Sequence, residues 1–402
     1  MHQDGLSRDH SAVQLFARVI FKLVVTLCQC PVIVPRLPRM ELHMSVDRIV
    51  ILVPGFLGSA LMAPSGEAVW SESLTENYWR IIKNPAMLSW AGRPASAEFL
   101  DCMRVRLFNT FTIRRVGLWG RTLDLLHAHP EFGSQKVFNF PYDWRQSILQ
   151  SAETLAIKTA EYCKYSATLS RRPPKVVFVT HSMGGLLVRA AVGLKHLPVQ
   201  SIDRIIHIGS PLLGAPSAFS STLGTINMPL MPELMRLMHG RRFDVFRRNF
   251  LAAVGTFESA WELYPWKTRR FIRLGGMPRF IHPFSDVHLV GGRHRERAIA
   301  VHEAVRSSAQ ILRKHQIAVR RIYTESLAPA QTECEFEVRH DILNGSRQYA
   351  LSSTRFTTNG DGTVTADSAS EDTKDFSYPV IDVPHAFMCD HPSVSQLVGM
   401  LI

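Results

Sequence analysis

A serine becomes a strong nucleophile when the chain holds it at a tight turn between a buried strand and a helix, and Thr180-His181-Ser182-Met183-Gly184-Gly185 has that setting. The apolar run Lys175 to Thr180 precedes the turn, and the helical pattern starting Leu186-Leu187-Val188-Arg189 follows it. Such a turn closes only if its neighbours are small, which Gly184 provides. Thr180 is a departure, because the G-x-S-x-G pattern opens on glycine, so the adjoining strand must accommodate a β-branched side chain. Out of context Ser182 would be an ordinary serine at a helix start. The strand before it and the helix after it favour the nucleophile.

A nucleophilic serine needs a base, and the base needs an orienting carboxylate; in this kind of fold they follow the serine in the order acid, then histidine. Asn359-Gly360-Asp361-Gly362-Thr363-Val364 presents Asp361 between two glycines. An Asx turn or a calcium loop would look similar, but no carboxylate follows at EF-hand spacing, and no metal is expected. His385 comes directly after the short apolar run Val380 to Val383 and Pro384, at a strand end where a general base belongs. His391, in Asp390-His391-Pro392-Ser393, is expected instead to cap the last helix, Val394 to Ile402. The glycine-rich exit Val53-Pro54-Gly55-Phe56-Leu57-Gly58-Ser59 is where one oxyanion-hole N–H would sit, the other following the nucleophile. The expected donors are therefore Phe56 and Met183, each worth about 3 kcal/mol to the transition state. By itself this segment would be only a tight turn.

These groups can meet only if a sheet carries them. Continuous apolar runs ending in Pro, Gly or His occur at 48–53, 137–140, 175–180, 204–208 and 287–290, with helical patterns at 118–127, 151–169 and 183–196 between several of them. Alternation of this sort predicts an α/β fold with a mostly parallel central sheet covered by helices. Residues 1–45 form an N-terminal extension and 46–402 one catalytic domain. Two insertions interrupt it: an irregular lid-like excursion at about 60–110, and a mostly helical cap at about 212–274 with no obvious buried strand. The cap carries Met228, Met231, Met235 and Met238, then Phe243, Phe246 and Phe250 among Arg241, Arg242, Arg247 and Arg248.

At this point the chain resembles the lecithin:cholesterol acyltransferase family of α/β-hydrolases. The likeness is carried by Val53 to Ser59 with Trp70 following, Gly117-Leu118-Trp119, Pro141-Tyr142-Asp143-Trp144-Arg145, His181 to Gly184, Gly209-Ser210-Pro211, Gly360 to Val364 and a histidine near the end. It implies Ser182 as nucleophile, Asp361 as acid, His385 as base, and Phe56 with Met183 as oxyanion donors. It implies acyl transfer or hydrolysis on lipid esters, phospholipid or acylglycerol, without a cofactor. Tyr142 to Arg145 read as a structural cluster beneath the site. Only Cys102 lies in the first excursion, so the lid disulfide of secreted members has no partner here, and the chain is more similar to bacterial members.

With 402 residues, 46% of them hydrophobic, the chain buries a large core, which excludes disordered and fibrous classes. Net charge is +12, mostly from Arg, so attraction to polyanions or anionic headgroups is expected. Zinc-finger spacing, RNP-like stretches and dense basic tracts are missing, so nucleic acid is not expected as a partner. The Arg- and Phe-rich cap reads two ways, as a face resting on an anionic membrane or as a solvated basic face over a core. Six scattered cysteines without C-x-x-C fit a reducing, cytoplasmic setting. The apolar run Leu23 to Val34 is too short to span a bilayer, and prolines and nearby acids weaken a signal-peptide reading. Two other functions stay open: an esterase for small esters, and a hydrolase-fold binding protein without turnover.

Overall fold

Six strands build the central sheet of the computed structural model, in the order Ser377–Ile381, Ala318–Glu325, Ile202–Ile208, Lys175–His181, Arg48–Val53 and Val137–Asn139, with every neighbouring pair parallel. The structure describes residues 47–402 except 93, 108–110, 223–239, 266–270, 276–279, 282–283, 285–291, 327–331, 344–345, 358 and 374. The N-terminal extension, the expected strand at 287–290 and the four cap methionines lie outside the described residues.

Arg48–Val53 shows why its sequence is a continuous apolar run. Ile49, Ile51 and Val53 join a core cluster with the helices Ile148–Ser170, Gly184–Gly193 and Gly292–Lys314. Val50 and Leu52 face the other way, into a cluster with the helices Gly120–Ala128 and Pro392–Leu401. Both faces are covered, so alternation gives way to unbroken hydrophobicity. The helix Ile148–Ser170 starts where the Ser147 side chain accepts the Leu149 N–H, and it stops at Arg171 in the left-handed region. Gly193 lets two helices touch: a Cβ there would lie 1.9 Å from the Ala304 carbonyl oxygen.

The first excursion is more regular than its sequence suggests. Ser59–Met62 pairs antiparallel with Ala68–Trp70 and with Ser96–Phe99, Leu74–Lys83 is a helix, and Cys102–Leu107 pairs with Phe111–Gly117. The described part of the cap is helical over Pro216–Thr222, Arg241–Val254 and Glu258–Glu262, and it ends in the strand Ile272–Leu274, which lies parallel to Thr332–Leu343. On Arg241–Val254, Phe243 and Phe250 are buried, and Phe246 packs on Tyr78 at 5.0 Å between ring centroids. Arg241, Arg242, Arg247 and Arg248 point outward. The phenylalanines therefore belong to the core, and what this helix presents outward is a basic face.

Candidate active site

Ser182 stands at the end of Lys175–His181, one residue before Met183 and the helix Gly184–Gly193. Its φ is +52°, a left-handed conformation that a non-glycine residue holds only when its surroundings impose it. They do so from two sides. The Ser182 N–H donates to the Ile208 carbonyl at 3.0 Å. The exit of the first strand presses on the turn: a Cβ on Gly55 would lie 2.6 Å from the Ser182 Cβ. Thr180 is accommodated because its hydroxyl lies 2.8 Å from Nδ1 of the buried His207 on the neighbouring strand.

His385 Nε2 lies 2.8 Å from Ser182 Oγ, and His385 Nδ1 lies 2.7 Å from Asp361 Oδ2. The other carboxylate oxygen, Oδ1, accepts the N–H groups of Thr363 at 2.9 Å and Val364 at 2.7 Å. With Asp361 accepting, Nδ1 carries the proton and the Nε2 lone pair faces the serine hydroxyl. The acid loop is itself tied down: Gly362 N–H donates to Thr332 Oγ1 at 2.9 Å, and Ser217 Oγ donates to the Thr363 carbonyl at 2.8 Å. Gly209, at φ +55°, brings the end of the strand Ile202–Ile208 close against both partners; a Cβ there would be 3.2 Å from Asp361 Oδ2 and 3.3 Å from His385 Nδ1. His391 is elsewhere, its Nδ1 accepting the Ser393 N–H at 3.3 Å as the cap of Pro392–Leu401.

Among the described residues the amides of Phe56 and Met183 have no acceptor, and both belong to turns that meet at Ser182. The turn carrying Phe56 closes with Gly58 N–H on the Gly55 carbonyl at 3.1 Å. The segment Pro141 to Arg145 clamps it from below. Tyr142 OH donates to the Pro54 carbonyl at 2.9 Å, and Trp144 Nε1 donates to the Ser59 carbonyl at 2.9 Å. Arg145 meets Asp143 through two hydrogen bonds, 2.9 and 2.7 Å, in a fully buried pair. Gly117 has a separate purpose: a Cβ there would collide with the Asp390 carboxylate, whose Oδ1 accepts the Arg121 N–H at 2.9 Å and so joins the His385 segment to the helix Gly120–Ala128.

Arg189, on the helix Gly184–Gly193 that follows Ser182, is buried and has no motif in the sequence to mark it. Its guanidinium pairs with Glu371 at 2.8 Å, and Arg321 reaches the same carboxylate. Burial alone would raise the Glu371 carboxyl, but the two cations hold it down at about 2. An arginine in a helix pattern carries no local signal of a partner 182 positions away.

Residues 91–248 match the family model for lecithin:cholesterol acyltransferase, a stretch that holds Ser182 and Met183 and stops short of Asp361 and His385. Among solved structures the chain is similar to the crystal structure of the Tle4–Tli4 complex, at 15% identity and a TM-score of 0.54, over 89% of this chain and 98% of that one. The mature Bacillus licheniformis lipase BlEst2 aligns at 12% identity and a TM-score of 0.30 over 90% and 95% of the two chains. Phospholipase PlaB from Legionella pneumophila, in complex with thio-NAD, aligns at 12% identity and 0.24 over 87% and 57%. No match was found among curated proteins. The central sheet, its covering helices and the whole-chain likeness make this an α/β-hydrolase fold.

Proposed function

We propose that this α/β-hydrolase, similar over part of its length to the lecithin:cholesterol acyltransferases, is a serine-dependent enzyme that hydrolyses or transfers the acyl group of a lipid ester, phospholipid or acylglycerol. The observation that carries the reading is the unbroken line Ser182 Oγ, His385, Asp361 at 2.8 and 2.7 Å. Ser182 attacks the ester carbonyl as His385 Nε2 takes its proton, and Asp361 holds the imidazole and stabilises the imidazolium. The N–H groups of Phe56 and Met183 receive the oxyanion. The proton then passes to the leaving alcohol, and water or a second alcohol takes the acyl group from Ser182. All of these groups belong to the chain, so the steps need no cofactor.

Lipid as the substrate class rests on the family match over residues 91–248. Peripheral attraction to an anionic membrane is part of the proposal, supported by the outward Arg241, Arg242, Arg247 and Arg248. So is a reducing, cytoplasmic setting, in keeping with the free thiols Cys102, Cys163, Cys334 and Cys389. A fluorophosphonate probe should label the wild type and leave Ser182→Ala unlabelled, and a panel of lipid esters with product identification should show which acyl group leaves and what accepts it. Absence of labelling would indicate a hydrolase-fold binding protein. Turnover confined to small soluble esters would indicate a general esterase.

A further inference from the structure

The base is held by more than its two ring contacts. The His385 N–H donates to the Asp361 backbone carbonyl at 2.9 Å. Its own backbone carbonyl lies 3.1 Å from Nε2 of His181, the residue immediately before the nucleophile. A carbonyl only accepts, so His181 Nε2 must carry a proton and donate it. The His181 ring is fixed in turn: its centroid lies 4.9 Å from the His385 ring on one side, and it meets Trp119 edge-on at 6.3 Å on the other.

We propose that His181 is a positioning residue for the reaction, a neutral donor that locks the His385 backbone to the nucleophile turn and so sets the reach of Nε2 to Ser182. The inference rests on the acyl-transfer reading above and assigns to it a residue that touches neither substrate nor the reacting atoms. The nucleophile and the base are 203 positions apart and come from different segments, so their separation depends on how the His385–Asp390 turn docks on the turn that carries Ser182. Asp361 fixes that turn from the acid side and Asp390 fixes its far end on Gly120–Ala128, whereas His181 alone among these contacts ties the base to the element that carries the serine. Neutrality suits the role. Burial, and behind it the proximity of His385, push the His181 imidazole down to about 3, so it adds no positive charge beside the imidazolium that forms on His385.

The test compares His181→Phe, which keeps a flat ring between Trp119 and His385 but cannot donate, with His181→Gln, whose amide N–H can occupy the Nε2 position. The expected result is a fall in kcat of about tenfold to a hundredfold in His181→Phe, as for a misplaced catalytic group, with KM changed less than about twofold, and recovery of most of the rate in His181→Gln. The rate of fluorophosphonate labelling at Ser182 should fall and recover in parallel. Wild-type kcat and labelling in a folded His181→Phe would overturn the positioning role, and so would an equal loss in both variants, because the donor would then be irrelevant. Labelling that persists unchanged in His385→Ala would overturn the reading of the site itself, together with this inference. Loss of labelling in His385→Ala with none in His181→Phe would overturn the inference alone.

Discussion

A Cβ placed on Gly184 would lie 2.4 Å from the Val53 carbonyl oxygen, so the first helical residue after the Ser182 turn packs directly on the end of the neighbouring strand. Gly184→Ala would therefore push the helix Gly184–Gly193 away from the backbone at Val53 and Pro54, the segment that leads into Phe56. A loss of about 1–3 kcal/mol in stability is expected, as for other overpacked sites, together with a loss of activity larger than the fraction unfolded explains. Thermal unfolding and turnover measured on the same sample check both.

Replacing His385 by Ala should lower turnover by about 10⁴-fold or more while leaving the fold intact. His391→Ala removes only the acceptor for the Ser393 N–H at the start of Pro392–Leu401, so it should cost about 0.5–2 kcal/mol of stability and spare activity. Swapped outcomes in kcat measurements would move the base to His391.

Glu371 contributes stability that depends on pH in a calculable direction. Its carboxyl is held at about 2 in the folded chain against 4.5 for the free group, so the contribution is complete above pH 4.5 and disappears as pH falls towards 2. Glu371→Ala should flatten that acid limb and, by leaving the buried Arg189 without its carboxylate, should cost about 3–5 kcal/mol at neutral pH. Denaturant unfolding from pH 2 to 7 would reveal both effects.

Glu262 works in the opposite direction. Fully buried at the start of the helix Ile148–Ser170, it accepts from Ser147 Oγ at 2.7 Å and from the Ile148 N–H at 2.6 Å, yet burial outweighs these bonds and raises its carboxyl to about 7. The fold then prefers the protonated form, and stability present below pH 4.5 is lost as pH rises to about 7. Glu262→Gln should remove that decline and gain on the order of 2 kcal/mol at pH 8, read from melting temperatures across the range.

The helix Arg241–Val254 should separate stability from surface attraction. Phe250→Ala opens a cavity beside Phe246 and should cost about 3–5 kcal/mol. Arg247→Gln with Arg248→Gln should leave the melting temperature unchanged and weaken binding to anionic vesicles by about 2 kcal/mol, roughly thirtyfold, an effect that fades as salt is added. Sedimentation with vesicles at two ionic strengths distinguishes an electrostatic face from an inert one.

The parallel sheet could be read from sequence because its central strands are buried on both faces, so Arg48–Val53 and Lys175–His181 declare themselves as unbroken apolar runs. Ala318–Glu325 could not, since Arg320 and Arg321 interrupt its pattern, and Arg321 is tolerated only because Glu371 neutralises it from another segment. The residues of the candidate site, Ser182, Asp361, His385, Phe56 and Met183, were likewise legible, each marked by a local signal: a strand end, a glycine pair or a tight turn. Their distances were not. The 2.8 Å between His385 and Ser182, the contact of His181 with the His385 carbonyl and the clamp of Tyr142 and Trp144 on the Pro54–Ser59 turn all join segments far apart in the chain. The same holds for the cap, where alternating Phe and Arg are compatible with either a lipid-facing or a core-facing stripe. Only packing against Tyr78 and the core decided that the rings point inward. Local pattern determines which elements form and which residues lie at their ends; which ends meet depends on how those elements pack, and that is a property of the whole chain.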